Sequence, residues 1–274
     1  MEHGLDMRTR QEKIFNLPPV VLWIVALLTA IEGLANLLSP EAYLEILRRF
    51  AFVPGRFTFA FDPDRVSLAV NSIAGDAGLR AQAAAFFLGD GKLQWWTPLT
   101  YAFLHGGWLH VGTNCLWFAA FGSAVARRFG ARRFLLFCAA AAIAGALMHY
   151  VTHMTDLQPV VGASAAVSGV MAAAVRFVFQ PGAPLGESLG FARADESMAY
   201  RQPSLPLREI LFNRGAISFL FFWFLTNFLF GAIPMPLGVA DATVAWEAHI
   251  GGFLAGLLAF RWFDPPAPPS AFPL

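Results

Sequence analysis

Six apolar stretches, each 17 to 21 residues long and nearly free of charge, constrain this chain more than any other feature. They are Pro18–Leu38, Gly107–Ala126, Phe134–Tyr150, Gly162–Val178, Ala216–Ile233 and Val244–Phe263. A helix needs about 20 apolar residues to cross the hydrocarbon of a bilayer. Backbone polar groups in lipid must be satisfied internally, which a helix achieves and an open strand does not. The expected fold class is all-α: a polytopic membrane protein built as a six-transmembrane-helix bundle. Charged residues make up only 14% of the chain, against about 25% in a soluble domain. A formal charge of +1 offers no basic surface, so no nucleic-acid partner is expected.

Arg8, Arg10 and Lys13 precede the first stretch, as in a signal peptide. That stretch is long enough to span, however, and no small-residue cleavage site follows it. Residues 1–17 read as a cytoplasmic N-terminal segment and 18–263 as the membrane domain. Residues 264–274, with Pro265, Pro266, Pro268 and Pro269, read as an extended Pro-rich tail. Inside the membrane domain, residues 39–96 form a long loop of short amphipathic runs suited to the interface. Residues 180–214 form a cytoplasmic, arginine-rich, solvated loop.

Arginine sets the orientation. Arg127, Arg128, Arg132 and Arg133 lie between stretches two and three, while Arg176, Arg193, Arg201, Arg208 and Arg214 end or follow stretch four. The connections His153–Val161 and Gly231–Thr243 hold no Lys or Arg. The positive-inside rule then puts both termini in the cytoplasm.

Polar groups inside spans are costly and point to function. His110 and Asn114 sit in span two, Ser164 opens span four, and His249 lies in span six. Asn114 precedes Arg127 by 13 residues, Ser164 precedes Arg176 by 12, and His249 precedes Arg261 by 12. At about 1.5 Å per residue these side chains share one level, roughly 18–20 Å above the arginines. Alone, a serine or histidine in a span is usually helix-packing glue. Together, Ser164 and His249 supply a nucleophile and a base for acyl transfer, and His110 and Asn114 suit an oxyanion. Gly252 and Gly256 form a small-residue stripe below His249, and Ser164, Ser168 and Ala172 form another on span four. Such stripes let helices approach closely.

The segments HGGWLHVGTN (His105–Asn114), VVGASAAVSG (Val160–Gly169) and AHIGGFLAG (Ala248–Gly256) resemble, in this order, the rhomboid family of intramembrane serine proteases. The resemblance implies that Ser164 is the nucleophile in the family's G-x-S-G turn, which begins at Gly162. It implies that His249 is the base, with Gly252 matching the glycine three residues on. It also implies that His110 and Asn114 serve the oxyanion and that His105 is structural, holding the first loop against span two. Ala165 departs from the pattern by replacing the second glycine. Trp96-Thr97 stands where many members carry Trp-Arg, which leaves the anchoring of the first loop open.

The expected activity is hydrolysis of peptide bonds in transmembrane protein substrates by a Ser164–His249 dyad, in a bacterial inner membrane, with the site open to the outer face. Glu247, about 200° round the helix from His249, is not expected to orient it. The aromatic fifth span reads as lipid-facing, with a movable gate as the alternative. A noncatalytic helix-binding scaffold and a six-helix transporter are the rival functions, the latter opposed by the lack of carboxylates distributed through the spans. His149 and His153 have metal-ligand spacing but lack the glutamate of H-E-x-x-H. They read as an interfacial pair, and no metal or cofactor is expected.

Overall fold

The computed structural model describes residues 17–72, 77–185, 199–232 and 245–265. The N-terminal segment, most of the Pro-rich tail, the middle of the 180–214 loop and the 233–244 connection lie outside the described residues.

Prolines open the early helices, because an N1 proline gives up only an N–H that has no helical partner. They are α1 (Pro19–Ala35), α2 (Pro40–Phe50), α3 (Pro54–Phe59) and α4 (Pro63–Ser72), followed by α5 (Ala77–Leu88). In α2, the Ser39 hydroxyl also caps the Ala42 N–H, and Arg48 and Arg49 close the last turn. A short turn, α6 (Thr97–Thr100), leads to the second span. That span is one rod in three parts: α7 (Trp108–Trp117), a π-helical turn (Phe118–Gly122) and α8 (Ser123–Phe129). Then come α9 (Ala131–Thr152), α10 (Ser164–Val175), the turn α11 (Leu207–Ile210), α12 (Arg214–Ala232) and α13 (Trp246–Phe263). The described residues contain no strand, only an isolated bridge between Phe52 and Val160.

All six expected spans are helical, with shifted ends. Among the described helices, α9 alone is long and apolar enough to cross a membrane by that measure. The fourth span shrinks to Ser164–Val175, because Gly162 at φ +121° turns the chain into the helix just before the serine.

α10 is the axis of the bundle. Every residue from Ala165 to Val175 is buried, and α7, α8, α9 and α13 all pack on it. Its contact with α13 is backbone to backbone: a Cβ on Gly252 would overlap the Ala165 carbonyl, and one on Gly256 would overlap that of Gly169. The stripe facing Gly252 and Gly256 is therefore Ala165–Gly169. The expected Ser164–Ser168–Ala172 stripe lies one residue, or about 100°, away from it. This rotation leaves Ser164 half-buried at the end of the seam, while Ala165 and Gly169 make the backbone contact.

At the arginine end, Arg128 makes a bidentate pair with Asp264, donating from Nε at 2.6 Å and Nη2 at 2.9 Å. It also donates to the Tyr200 and Gln202 carbonyls. Its guanidinium lies over the rings of Phe177 and Phe260, and that of Arg176 lies over the other part of this cluster on Phe260. Of the three arginines that mark the depth of the polar groups, Arg176 lies at this ring, while Arg127 lies over Tyr200 and Arg261 over Trp262.

The first loop is tied down without the family's arginine after Trp96. Trp96 Nε1 donates to the Arg49 carbonyl at 2.8 Å and Thr100 to that of Phe50 at 2.8 Å. Tyr43 donates to the His105 carbonyl and Gly55 N–H to that of Asp156. Buried Arg56 donates to the Phe87 and Lys92 carbonyls and to Asp90. Burial pulls its guanidinium below the ordinary value, with the Asp90 charge opposing.

Candidate active site

Ser164 is the first residue of α10, and His249 stands one turn inside α13. Their side chains meet, with Ser164 Oγ 2.8 Å from His249 Nε2, and both are half-buried. The close α10–α13 seam just below makes this possible, since Gly252 sits three residues after His249.

A third residue completes the contact. Asn227 of α12 lies with its Oδ1 2.5 Å from His249 Nδ1. Its Nδ2 donates to the Trp223 carbonyl at 2.8 Å, so the amide orientation is fixed and the oxygen must face the histidine. An amide oxygen only accepts, so Nδ1 of His249 carries the proton. The lone pair is left on Nε2, facing the serine hydroxyl. Asn227 therefore imposes the tautomer a general base needs. One turn away, Trp223 stacks on Phe253 with centroids 4.4 Å apart. The antiparallel helices thus register Trp223 with Phe253 and Asn227 with His249.

Ser164, His249 and Asn227 thus form one hydrogen-bonded chain, of which Asn227 is not among the residues expected from the sequence. The signal was present: Asn227 follows Arg214 by 13 residues, the spacing that placed Asn114. Glu247, as expected, faces away from His249, toward His149.

On the other side of Ser164, the His110 ring packs on the turn. A Cβ on Gly162 would stand 2.6 Å from His110 Nε2 and 3.7 Å from Ser164 Oγ, so only glycine lets the imidazole reach this place. His110 stacks edge-on against His105, with centroids 5.0 Å apart, and accepts from the Gly106 N–H on Nδ1. Buried Asn114 donates to the His110 carbonyl one turn back, within its own helix. His105 does more than hold the loop: its Nε2 accepts the Ala163 N–H at 3.4 Å, and its carbonyl accepts Tyr43. It links the first loop to the residue before the serine. Gly162 N–H donates to the Tyr101 carbonyl, a second tie on the same turn.

The first N–H groups of α10 have no acceptor within the helix, and they carry the positive end of its dipole. A serine–histidine contact, helix N-terminal N–H groups and an imidazole edge therefore surround one point.

Sequence relatives carry the same core. The family model of the rhomboid domain matches residues 92–263, more than half of the chain. The chain belongs to the rhomboid family. Rhomboid protease GluP of Bacillus subtilis (strain 168) is 39% identical over 166 residues, covering 61% of this chain and 25% of that protein. Putative rhomboid protease YdcA of the same organism is 35% identical over 91 residues, covering 33% of this chain and 45% of that protein. The match thus spans less than half the length of either relative. This rhomboid is an all-α, polytopic integral membrane protein. It departs from the family's G-x-S-G turn at Ala165, and its α9 accommodates the change. The Ala165 methyl fills the space at Gly145, where a second methyl would overlap it.

Proposed function

We propose that the chain is an intramembrane serine-type endopeptidase that hydrolyses peptide bonds of transmembrane protein substrates. The observation that carries the reading is the 2.8 Å contact between Ser164 Oγ and His249 Nε2, with Nδ1 held by Asn227. The protease names of the relatives GluP and YdcA support it. The proton of Ser164 passes to Nε2 as Oγ attacks the scissile carbonyl carbon. His110, Asn114 and the Ser164 N–H stabilise the tetrahedral oxyanion. Asn114 Nδ2 gives one hydrogen to the His110 carbonyl and has its second for the oxyanion. His249 then protonates the leaving amine, and water hydrolyses the acyl-enzyme with the same histidine as base.

A helical substrate hides its carbonyls in i→i−4 bonds. Substrates with helix-weakening residues near the cut are therefore preferred. We place both termini in the cytoplasm of a bacterial cell, with the 180–214 loop on that side, residues 39–96 at the opposite interface and the site open to the outer face. The arginine cluster around Phe260 supports that orientation. Access past α12, whose Phe221, Phe222 and Phe228 face outward, is the gate version of the reading.

A fluorophosphonate probe tests the chemistry. The native chain forms one adduct that peptide mapping locates at Ser164, and Ser164→Ala forms none. An adduct elsewhere, or none on the native chain, contradicts the proposal.

A further inference from the structure

Beyond the Ser–His–Asn chain, the same end of the bundle gathers a second set of polar groups. His149 and His153 lie one turn apart at the end of α9, and Glu247 opens α13 opposite them. Their nearest ligand atoms all fall within 4.8 Å of one another. We propose that these three residues form a binding site for a divalent cation of the zinc class, clamping α9 to α13.

The donor set is two imidazoles and a carboxylate, which suits Zn²⁺ or Co²⁺ with water as a further ligand. His149 Nδ1 is 3.4 Å from Glu247 Oε2, and His153 Nε2 is 4.0 Å from Oε1. Tetrahedral ligands about 2.1 Å from zinc stand about 3.4 Å apart. The first distance already matches, and His153, which faces the other carboxylate oxygen, must move closer by about 0.6 Å or more. His153, the most exposed of the three, can make that shift.

His149 Nδ1 is a buried nitrogen with no hydrogen-bond partner among the described residues, although Glu247 Oε2 lies 3.4 Å away. Such an atom needs an explanation, and a ligand position is one. The Thr152 hydroxyl donates to the His149 carbonyl at 3.0 Å, so it accepts from His153 Nδ1 at 2.9 Å. That fixes the proton on Nδ1 and leaves Nε2 as a lone pair toward Glu247, as a metal ligand requires. The His153 lone pair facing the Glu247 carboxylate is repelled by it unless a cation lies between them.

The frame is stiff. Just below, Gly145 and Gly251 bring the helices into contact, with a Gly251 Cβ only 2.7 Å from the Ala144 carbonyl. A cavity of about 570 Å³ between α4 and the turn after α9 has His153 in its wall. Sequence order conceals this site, since the glutamate comes from another helix, 94 residues after His153.

The test is Co²⁺ and Zn²⁺ titration of the full, tag-free chain in detergent after chelator treatment. Native protein binds one ion per chain, develops the visible bands of low-coordinate cobalt that zinc abolishes, and melts at a higher temperature with zinc. His153→Ala and Glu247→Gln each weaken binding at least about 10-fold and lose the zinc-induced shift. The exposed His153→Ala variant keeps its metal-free midpoint, which separates ligand loss from misfolding. His249→Ala binds as the native chain does. Absence of stoichiometric binding, binding unchanged in both ligand variants, or binding lost in His249→Ala overturns the site. So does a pH-dependent His–Glu ion pair with no metal response.

Discussion

The methyl of Ala165 occupies the space that the missing side chain of Gly145 leaves on α9, so each residue's size is set by the other. The family departure beside Ser164 is thereby absorbed where α9 packs directly on α10. Gly145→Ala forces that methyl against Ala165 and sets it 2.7 Å from the Ala248 carbonyl, and is expected to destabilise by about 1–3 kcal/mol. Ala165→Gly costs about 1 kcal/mol through helix propensity alone. The double swap recovers part of the Gly145→Ala loss, because the Ala248 clash remains. Thermal midpoints in one detergent check all three.

Gly252→Ala strikes the seam itself. The added methyl overlaps the Ala165 carbonyl and pushes α13 from α10 three residues below His249. A displacement of about 1 Å in reacting geometry costs on the order of 100-fold in rate. We expect kcat to fall by that order in a peptide-cleavage assay, while circular dichroism still reports a helical protein.

Asn227 acts on the serine through His249, which makes it a positioning residue. Asn227→Ala frees the imidazole to take the other tautomer, and kcat should fall on the order of 10-fold with KM little changed. Asn227→Asp still accepts from Nδ1 and stabilises the imidazolium, so it retains more activity than the alanine variant. Its kcat profile moves to higher pH, because the new negative charge favours protonated His249. Equal losses and unshifted profiles for both variants would reduce Asn227 to packing.

The Arg128–Asp264 pair is buried, with side chains 8% and 17% exposed. Removing one partner strands the other's charge. Asp264→Ala should destabilise by about 3 kcal/mol, read as a lower thermal midpoint, and Arg128→Lys should recover little because lysine cannot pair bidentately.

The meeting of Ser164 with His249 was legible because polar side chains at one arginine-measured depth stand out in apolar helices. Asn227 met the same criterion, but it sits in an aromatic run that drew attention to lipid contact instead. The packing stripe on α10 was misread by one residue. Small residues at 164–166, 168–169 and 172–174 offer several equivalent stripes, and only the partner's Gly252 and Gly256 choose among them. The tie from His105 to Ala163 was not readable at all, since it depends on how the turn before Gly107 folds back over the loop at Gly162. Nor was the approach of Glu247 to His149, which depends on the crossing of α9 and α13.

The proposed activity requires the Ser164 hydroxyl, activated by His249, to cut a transmembrane chain. Its most direct measurement is cleavage of a transmembrane substrate by purified protein in liposomes, comparing the native chain with Ser164→Ala and His249→Ala at matched thermal midpoints. Cleavage by the native chain, and a loss of at least about 1,000-fold in each variant, is the predicted result. Cleavage that persists in Ser164→Ala would contradict the account.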